Sequence, residues 1–178
     1  MKEIVISGKK FREIIDGATI SNRVSELASM INNDLRGREV IFIGILNGAF
    51  IFTAELMRKI DLDARVSFIK IASYKGTESS GVLRELIGLD DDVKNKHLIV
   101  VEDIVDTGAT LAGVVRKLSS LGAVDIRIAS LLFKPAALKE KININYVGFE
   151  IPDDFVIGYG LDYNGFGRNL PAVYALVG

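Results

Sequence analysis

The sequence predicts an α/β fold, a parallel β-sheet flanked by helices, and three observations carry that expectation. Val40-Ile41-Phe42-Ile43-Gly44-Ile45-Leu46 is an unbroken apolar, β-rich run, the pattern of a strand buried on both faces of a parallel sheet. Strand-like and helix-like segments alternate on either side of it, as in successive βαβ units. The chain has 178 residues, 49% of them hydrophobic, which suits one substantial core and is short for two.

Taken in order, Ser21 to Leu35 carries apolar residues at Val24, Leu27, Ala28 and Ile31. That is a helical period, with Ser21 or Asn22 available as N-cap. Arg36-Gly37-Arg38 reads as a turn into the strand Val40 to Leu46, Asn47-Gly48 ends that strand, and Phe50 to Ile60 resumes a helical pattern. Val66 to Ala72 and His97 to Val101 read as strands, Thr110 to Leu121 as a helix closed by Gly122, and Asp125 to Phe133 as a strand. Ser73 to Asn95 is long and polar for a connection inside a compact domain, and is either an irregular surface hairpin or a lid. Tyr146 to Phe149, Val156 to Tyr159 and Ala172 to Val177 are short strands that, with Ile4-Val5-Ile6, can form an accessory layer. No repeat, low-complexity tract or linker separates that layer, so a single domain over residues 1–178 is expected.

Composition narrows the function classes. With 22 Lys+Arg against 23 Asp+Glu and a formal net charge of −1, nothing in the overall balance calls for nucleic acid or a membrane surface. Any anionic ligand must be held locally. The absence of cysteine excludes disulfides, thiolate metal sites and cysteine nucleophiles. Charges at residues 2, 3, 9, 10, 12 and 13 leave no apolar stretch of signal-peptide length, and no run approaches a membrane span, so a cytoplasmic protein is expected.

The stretch that carries chemistry is Leu98 to Leu111, LIVVEDIVDTGATL. An apolar strand runs into Glu102 and Asp103, then Asp106, and Thr107-Gly108-Ala109-Thr110 opens a helix. Ligands of open α/β sheets bind at the carboxyl ends of strands, and free N–H groups at a helix start suit phosphate. Glu102 and Asp103 can accept from two neighbouring sugar hydroxyls or reach magnesium through oxygens and waters. Asp106 to Thr110 can wrap a phosphate, with Gly108 permitting close backbone approach. A solvated acidic turn before a helix capped by Asp106 or Thr107 explains one carboxylate and one threonine, but not three carboxylates.

The segment Val101-Glu102-Asp103-Ile104-Val105-Asp106-Thr107-Gly108-Ala109-Thr110-Leu111 resembles the phosphoribosyl pyrophosphate (PRPP) motif of type I phosphoribosyltransferases, in the form of the 6-oxopurine branch. Leu46-Asn47-Gly48, Ser73-Tyr74, Lys134-Pro135, Gly148 to Asp153 and Gly158 to Arg168 fall in the same family order, so the resemblance spans about residues 40 to 170. It implies a Rossmann-like core of about 20–150, a hood from about 1–19 and 150–178, and a mobile lid of about 73–95.

The resemblance also implies roles. Glu102 and Asp103 hold ribose hydroxyls and help position Mg2+, the implied cofactor, while Asp106, Thr107, Gly108, Ala109 and Thr110 form the 5-phosphate loop. Asp106 lies near purine N7 as general base or acid, although a helix N-cap is an equally physical local role. Lys134 donates to the purine 6-oxo group, which disfavours adenine because an amino group and an ammonium are both donors; by itself, a lysine at a strand end is a solvated charge. Phe155 stacks on the base, Ile104 covers its other face, and the Val156 backbone meets its edge. Asp162, on the base side, orients a second magnesium, and Arg168 binds pyrophosphate; without the family pattern these two read as a surface ion pair.

Leu46, Asn47 and Gly48 form the pyrophosphate loop, with a cis peptide expected between the first two. Many members have Lys or Arg where this chain has Asn47, so a side-chain charge is missing. Ser73 and Tyr74 begin the lid and act at the catalytic stage. His97, the sole histidine, starts a strand away from the ligand end and receives no catalytic role.

The implied reaction joins hypoxanthine or guanine to PRPP, with no nucleic-acid or membrane partner and a homodimer or homotetramer as the usual assembly. The alternatives are a non-catalytic PRPP-sensing regulator that binds nucleic acid, which wants a basic surface this chain lacks, or the same chemistry with xanthine. A nucleotide-binding oxidoreductase is disfavoured because no G-x-G-x-x-G follows a strand.

Overall fold

The computed structural model describes residues 2–72, 84–89 and 91–177. Their strands are β1 (Glu3–Ile6), β2 (Lys9–Ile15), β3 (Val40–Leu46), β4 (Ala64–Ala72), β5 (Arg84–Ile87), β6 (His97–Val105), β7 (Asp125–Phe133), β8 (Tyr146–Glu150), β9 (Val156–Ile157) and β10 (Val173–Leu176). The helices are α1 (Gly17–Asp34), α2 (Phe50–Met57) and α3 (Ala109–Ser120).

The main sheet has the order β5-β4-β3-β6-β7-β8. Neighbours from β4 to β8 are parallel, and β5 returns antiparallel to β4 at the edge. β3 is central and buried along nearly its whole length, which is why its sequence is continuously apolar rather than alternating. Alternation instead divides its side chains between two layers. Val40 and Phe42 meet α1 and α2 through Val24, Leu27, Phe52 and Leu56, while Ile41, Ile43 and Ile45 join Leu111, Val114 and Leu118 on the α3 side.

A second sheet, β1-β2-β10-β9, is antiparallel and draws on both ends of the chain. Phe11, Ile157, Ala172 and Tyr174 form its small core. This is the hood that the resemblance implies. No helix among the described residues is long and apolar enough to cross a membrane.

The differences from the sequence reading are local. Helix α1 begins earlier than Ser21: Asp16 is its N-cap, accepting from the Thr19 N–H at 2.9 Å. Strand β2 was not expected, because charges at Lys9, Lys10, Arg12 and Glu13 hide a strand whose only fully buried side chain is Phe11. β6 runs on to Val105 rather than ending at Val101, so Glu102 and Asp103 belong to the strand and inherit its burial.

Candidate active site

β3 and β6 are neighbours at the middle of the main sheet. The chain leaves β3 through α2 toward β4 on one side, and leaves β6 through α3 toward β7 on the other. The connections diverge and open a crevice above the carboxyl ends of these two strands, the place where doubly wound sheets bind ligands. Leu46–Gly48 and residues 102–110 enter it from below. Lys134, just beyond β7, and the hood loop after β9 complete its walls.

The peptide joining Leu46 to Asn47 is cis. The next residue is packed so closely that a Cβ at Gly48 would fall 1.6 Å from the Asp103 carboxylate. Across the crevice, a Cβ at Gly160 would fall 2.0 Å from the Gly48 carbonyl oxygen. Two glycines thus let the loop after β3 lie against β6 on one side and against the hood on the other.

Glu102 and Asp103 are each 9% exposed, and among the described residues neither takes part in an ion pair. Burial pushes the Glu102 carboxyl well above the usual carboxylate range, and the adjoining Asp103 charge adds to it. Burial also raises Asp103, against hydrogen bonds that include the Ile104 N–H at 2.9 Å and against the field of Arg168. Such a pair is chemically fitted to a hard dication with oxygen ligands. No group of three or more acidic or histidine side chains arranged to hold a metal ion is found among the described residues.

Beyond β6 the chain turns through Asp106 and Thr107 into α3. Gly108 is the N-cap, at φ 82°, with no side-chain cap bond. The alternative in which Asp106 or Thr107 caps the helix is thus not the one adopted. Thr107 Oγ1 lies 3.4 Å from the Ala109 N–H, a marginal contact. Glu102, Ile104 and residues 105–111 line a cleft of ≈ 530 Å³, into which the first N–H groups of α3 are free to donate.

Ile104 and Asp106 are shared with a second cleft of ≈ 490 Å³, walled by Asp103, Lys134, Phe155, Val156, Asp162 and Arg168. Lys134 is only 7% exposed, so it is not the solvated charge its position in sequence would suggest. Its ammonium donates to Asp153 Oδ1 at 3.0 Å and stands 3.8 Å from Asp106 Oδ2. The Phe155 ring is 47% exposed and meets Tyr163 edge-on, with centroids 5.8 Å apart, which leaves a flat face for a planar ligand. Arg168 pairs with Asp162 at 2.5 Å and donates to the Gly160 carbonyl at 2.6 Å. Asp162 also accepts from the Gly165 N–H at 2.6 Å.

Most of the sequence-derived residues therefore line two adjoining clefts; Leu46, Asn47 and Gly48 line neither, although Gly48 packs against Asp103, and Ser73 and Tyr74 lie outside the described residues. His97 lies at the opposite end of the sheet, beside Arg38. Sequence reading missed Asp153 as partner of Lys134 and Gly160 as the seat of Gly48. Asp153 follows Pro152 just before Phe155, a visible signal; nothing in the sequence marks the Gly160 contact, which is tertiary.

With this geometry in hand, similarity to known proteins is informative. The family model described as "Phosphoribosyl transferase domain" matches residues 12–164. A hypoxanthine-guanine phosphoribosyltransferase of Aquifex aeolicus is 40% identical over 176 residues, 98% of each chain. One of Mycobacterium bovis is 39% identical over 170 residues, 92% of this chain and 84% of the relative. Among solved structures, a hypoxanthine-guanine phosphoribosyltransferase of Bacillus anthracis superposes with TM-score 0.88 at 36% identity, over 93% of this chain and 96% of that one. A hypoxanthine phosphoribosyltransferase of Staphylococcus aureus gives 0.90 at 36% identity, over 93% and 91%. Fold, crevice and sequence agree that this chain belongs to the phosphoribosyltransferase family and, within it, to the hypoxanthine-guanine phosphoribosyltransferases.

Proposed function

We propose that the protein transfers the 5-phosphoribosyl group of PRPP to hypoxanthine or guanine, yielding IMP or GMP and pyrophosphate. The observation that carries this reading is the junction of the two clefts at Ile104 and Asp106. One cleft offers helix N–H groups and threonine hydroxyls to a phosphate; the other offers an aromatic face and a buried ammonium to a flat base bearing a carbonyl.

In the reaction the bond from the anomeric carbon to pyrophosphate breaks and a bond to a purine nitrogen forms. Lys134 retains donors beyond the one given to Asp153, and one of them meets the 6-oxo group. Phe155 and Ile104 sandwich the ring, holding its nitrogen toward the sugar. Asp106, which makes no side-chain hydrogen bond among the described residues, exchanges the purine proton. Arg168 and the Leu46–Gly48 amides receive the pyrophosphate oxygens, and the Asn47 side chain offers that group dipoles rather than a charge.

Glu102 and Asp103 would hold Mg2+, and Asp162 would orient a second such ion. When bound, the ion supplies charge neutralisation on the leaving oxygens and orientation of the ribose. Ser73 and Tyr74, which the family pattern assigns to the catalytic stage, lie outside the described residues. The activated sugar phosphate and the lack of cysteine go with work in the cytoplasm, and we expect a dimer or tetramer, to be decided by sedimentation velocity.

The test offers hypoxanthine, guanine, xanthine and adenine separately with magnesium and PRPP and follows pyrophosphate release. Release with hypoxanthine or guanine but not adenine is the expected result. Preference for xanthine would change the base assignment, and tight PRPP binding without release from any base would replace the enzyme with a sensor.

A further inference from the structure

Tyr159 and Glu55 form a part-buried polar contact that the reaction does not use. Tyr159 is 5% exposed and sits at φ 49° between Gly158 and Gly160, which also have positive φ. Its hydroxyl donates to the Glu55 carboxylate on α2. Burial and the neighbouring carboxylate both raise the phenol above its ordinary value, so it keeps its proton and remains a donor at working pH.

The position of this contact matters more than its strength. Glu55 lies on the helix that the pyrophosphate loop leads into. Phe50, the first residue of α2, takes its N–H back to the Asn47 carbonyl at 3.4 Å. Tyr159 lies on the hood loop that carries Arg168: its own N–H donates to Leu170, and the Gly160 N–H to the Arg168 carbonyl, both at 2.9 Å. The two segments meet a second time where Gly160 rests on the Gly48 carbonyl. Loop, helix, Glu55, Tyr159 and Gly160 thus close a ring, and both groups assigned to pyrophosphate are attached to it.

We infer that Glu55 and Tyr159 form a latch that sets the spacing between the Leu46–Gly48 loop and Arg168, making them positioning residues for the pyrophosphate end of the substrate. The inference rests on the function proposed above. It differs from a general stabilising role in its selectivity: Asp162 and Arg168 also wall the base cleft, but the groups assigned to the base itself, Phe155, Val156 and Lys134, are held by β9 pairing with β10, by the Leu176 N–H on the Phe155 carbonyl and by the Lys134–Asp153 contact. Opening the latch loosens one subsite and spares the other.

The experiment measures KM for PRPP and for hypoxanthine, together with calorimetric binding of magnesium pyrophosphate in the absence of any base, in wild type, Tyr159→Phe, Glu55→Ala, Glu55→Gln and the double variant Tyr159→Phe/Glu55→Ala. Tyr159→Phe and Glu55→Ala are expected to weaken PRPP and pyrophosphate about 10-fold, from loss of one hydrogen bond to a charged group. KM for hypoxanthine stays close to wild type. Glu55→Gln, which still offers an oxygen to the phenol, restores most of the loss, and the double variant is no worse than either single one. Folded Tyr159→Phe with unchanged pyrophosphate affinity, or equal losses for both substrates, would overturn the latch while leaving the function intact. Wild type that neither binds pyrophosphate nor turns over would remove the function and the latch together.

Discussion

At the amino-terminal edge of the main sheet, charges are paired with one another. Arg65 bridges Glu39 and Asp91 at 2.7 and 3.3 Å, Lys96 reaches Glu39 at 2.7 Å, and Arg127 joins Asp125, Asp34 and the Tyr146 hydroxyl. At the carboxyl-terminal edge, Glu102 and Asp103 are more deeply buried and have no cation in contact among the described residues. The same strands, β6 above all, run from one regime to the other. Among the described residues, the fold pairs its charges with opposite charges at one end and leaves two buried carboxylates with hydrogen bonds but no cation at the other, the kind of environment that marks a site for a charged ligand.

The sharpest way to break this contrast is at Asp106. Asp106→Asn should lower kcat by roughly 10²–10⁴-fold, the range for loss of a general acid-base group, with KM for PRPP little changed. Parallel losses in both would show that the carboxylate binds rather than transfers a proton. Next in size is Lys134→Met. It leaves Asp106 and Asp153 without their common cation and should raise KM for hypoxanthine about 10–100-fold, as for a hydrogen bond to a charged group. An unchanged ratio of hypoxanthine to adenine activity would remove Lys134 as selector of the base.

The paired edge predicts the reverse behaviour. Arg127→Met should cost about 1–2 kcal/mol through its lost hydrogen bonds, a fall in Tm of about 2–8 °C for a chain of this size, with kcat/KM unchanged below the transition. A drop in activity without a drop in stability would show that the two edges are not independent.

The smallest effect has the most informative sign. Glu102 holds its proton to higher pH when folded than when unfolded, so it disfavours the unliganded fold progressively as pH rises from its ordinary value of 4.5 toward the raised one. Glu102→Gln should therefore raise the Tm of the ligand-free protein at pH 8 by about 2–4 °C, equivalent to about 1 kcal/mol, have no such effect at pH 4, and still weaken PRPP binding. A lower Tm at pH 8 would mean that the carboxylate is satisfied in the free protein.

Much of this was legible in the sequence, for identifiable reasons. Val40–Leu46 announced a central parallel strand because burial on both faces demands an unbroken apolar run. Glu102, Asp103 and Asp106 stood out because three carboxylates at a strand end exceed any structural need. Lys134 did not stand out by itself: its 7% exposure depends on Asp153 and the hood closing over it, a tertiary fact that only the family pattern anticipated. The sequence left open whether Asp106 or Thr107 caps α3, because Asp and Thr before a helix usually do; Gly108 turns left-handed and takes that position, and both residues line the cleft. Strand β2 was hidden because one face of it is solvent and the other is covered by a segment near the far end of the sequence.

That last arrangement fixes an order of events during synthesis. β2 pairs with β10 in the register Ile15 to Val173 and Phe11 to Leu176, and β9, which begins next to Phe155, pairs with β10 alone. Early contacts along the chain let the main sheet condense while translation is still under way, but the hairpin of residues 3–15 has no neighbour to join until residue 176 has been made. The β1-β2-β10-β9 sheet, which ends beside Phe155 at the cleft wall, is therefore the last part to assemble, after residues 102–110 have been fixed at the end of β6.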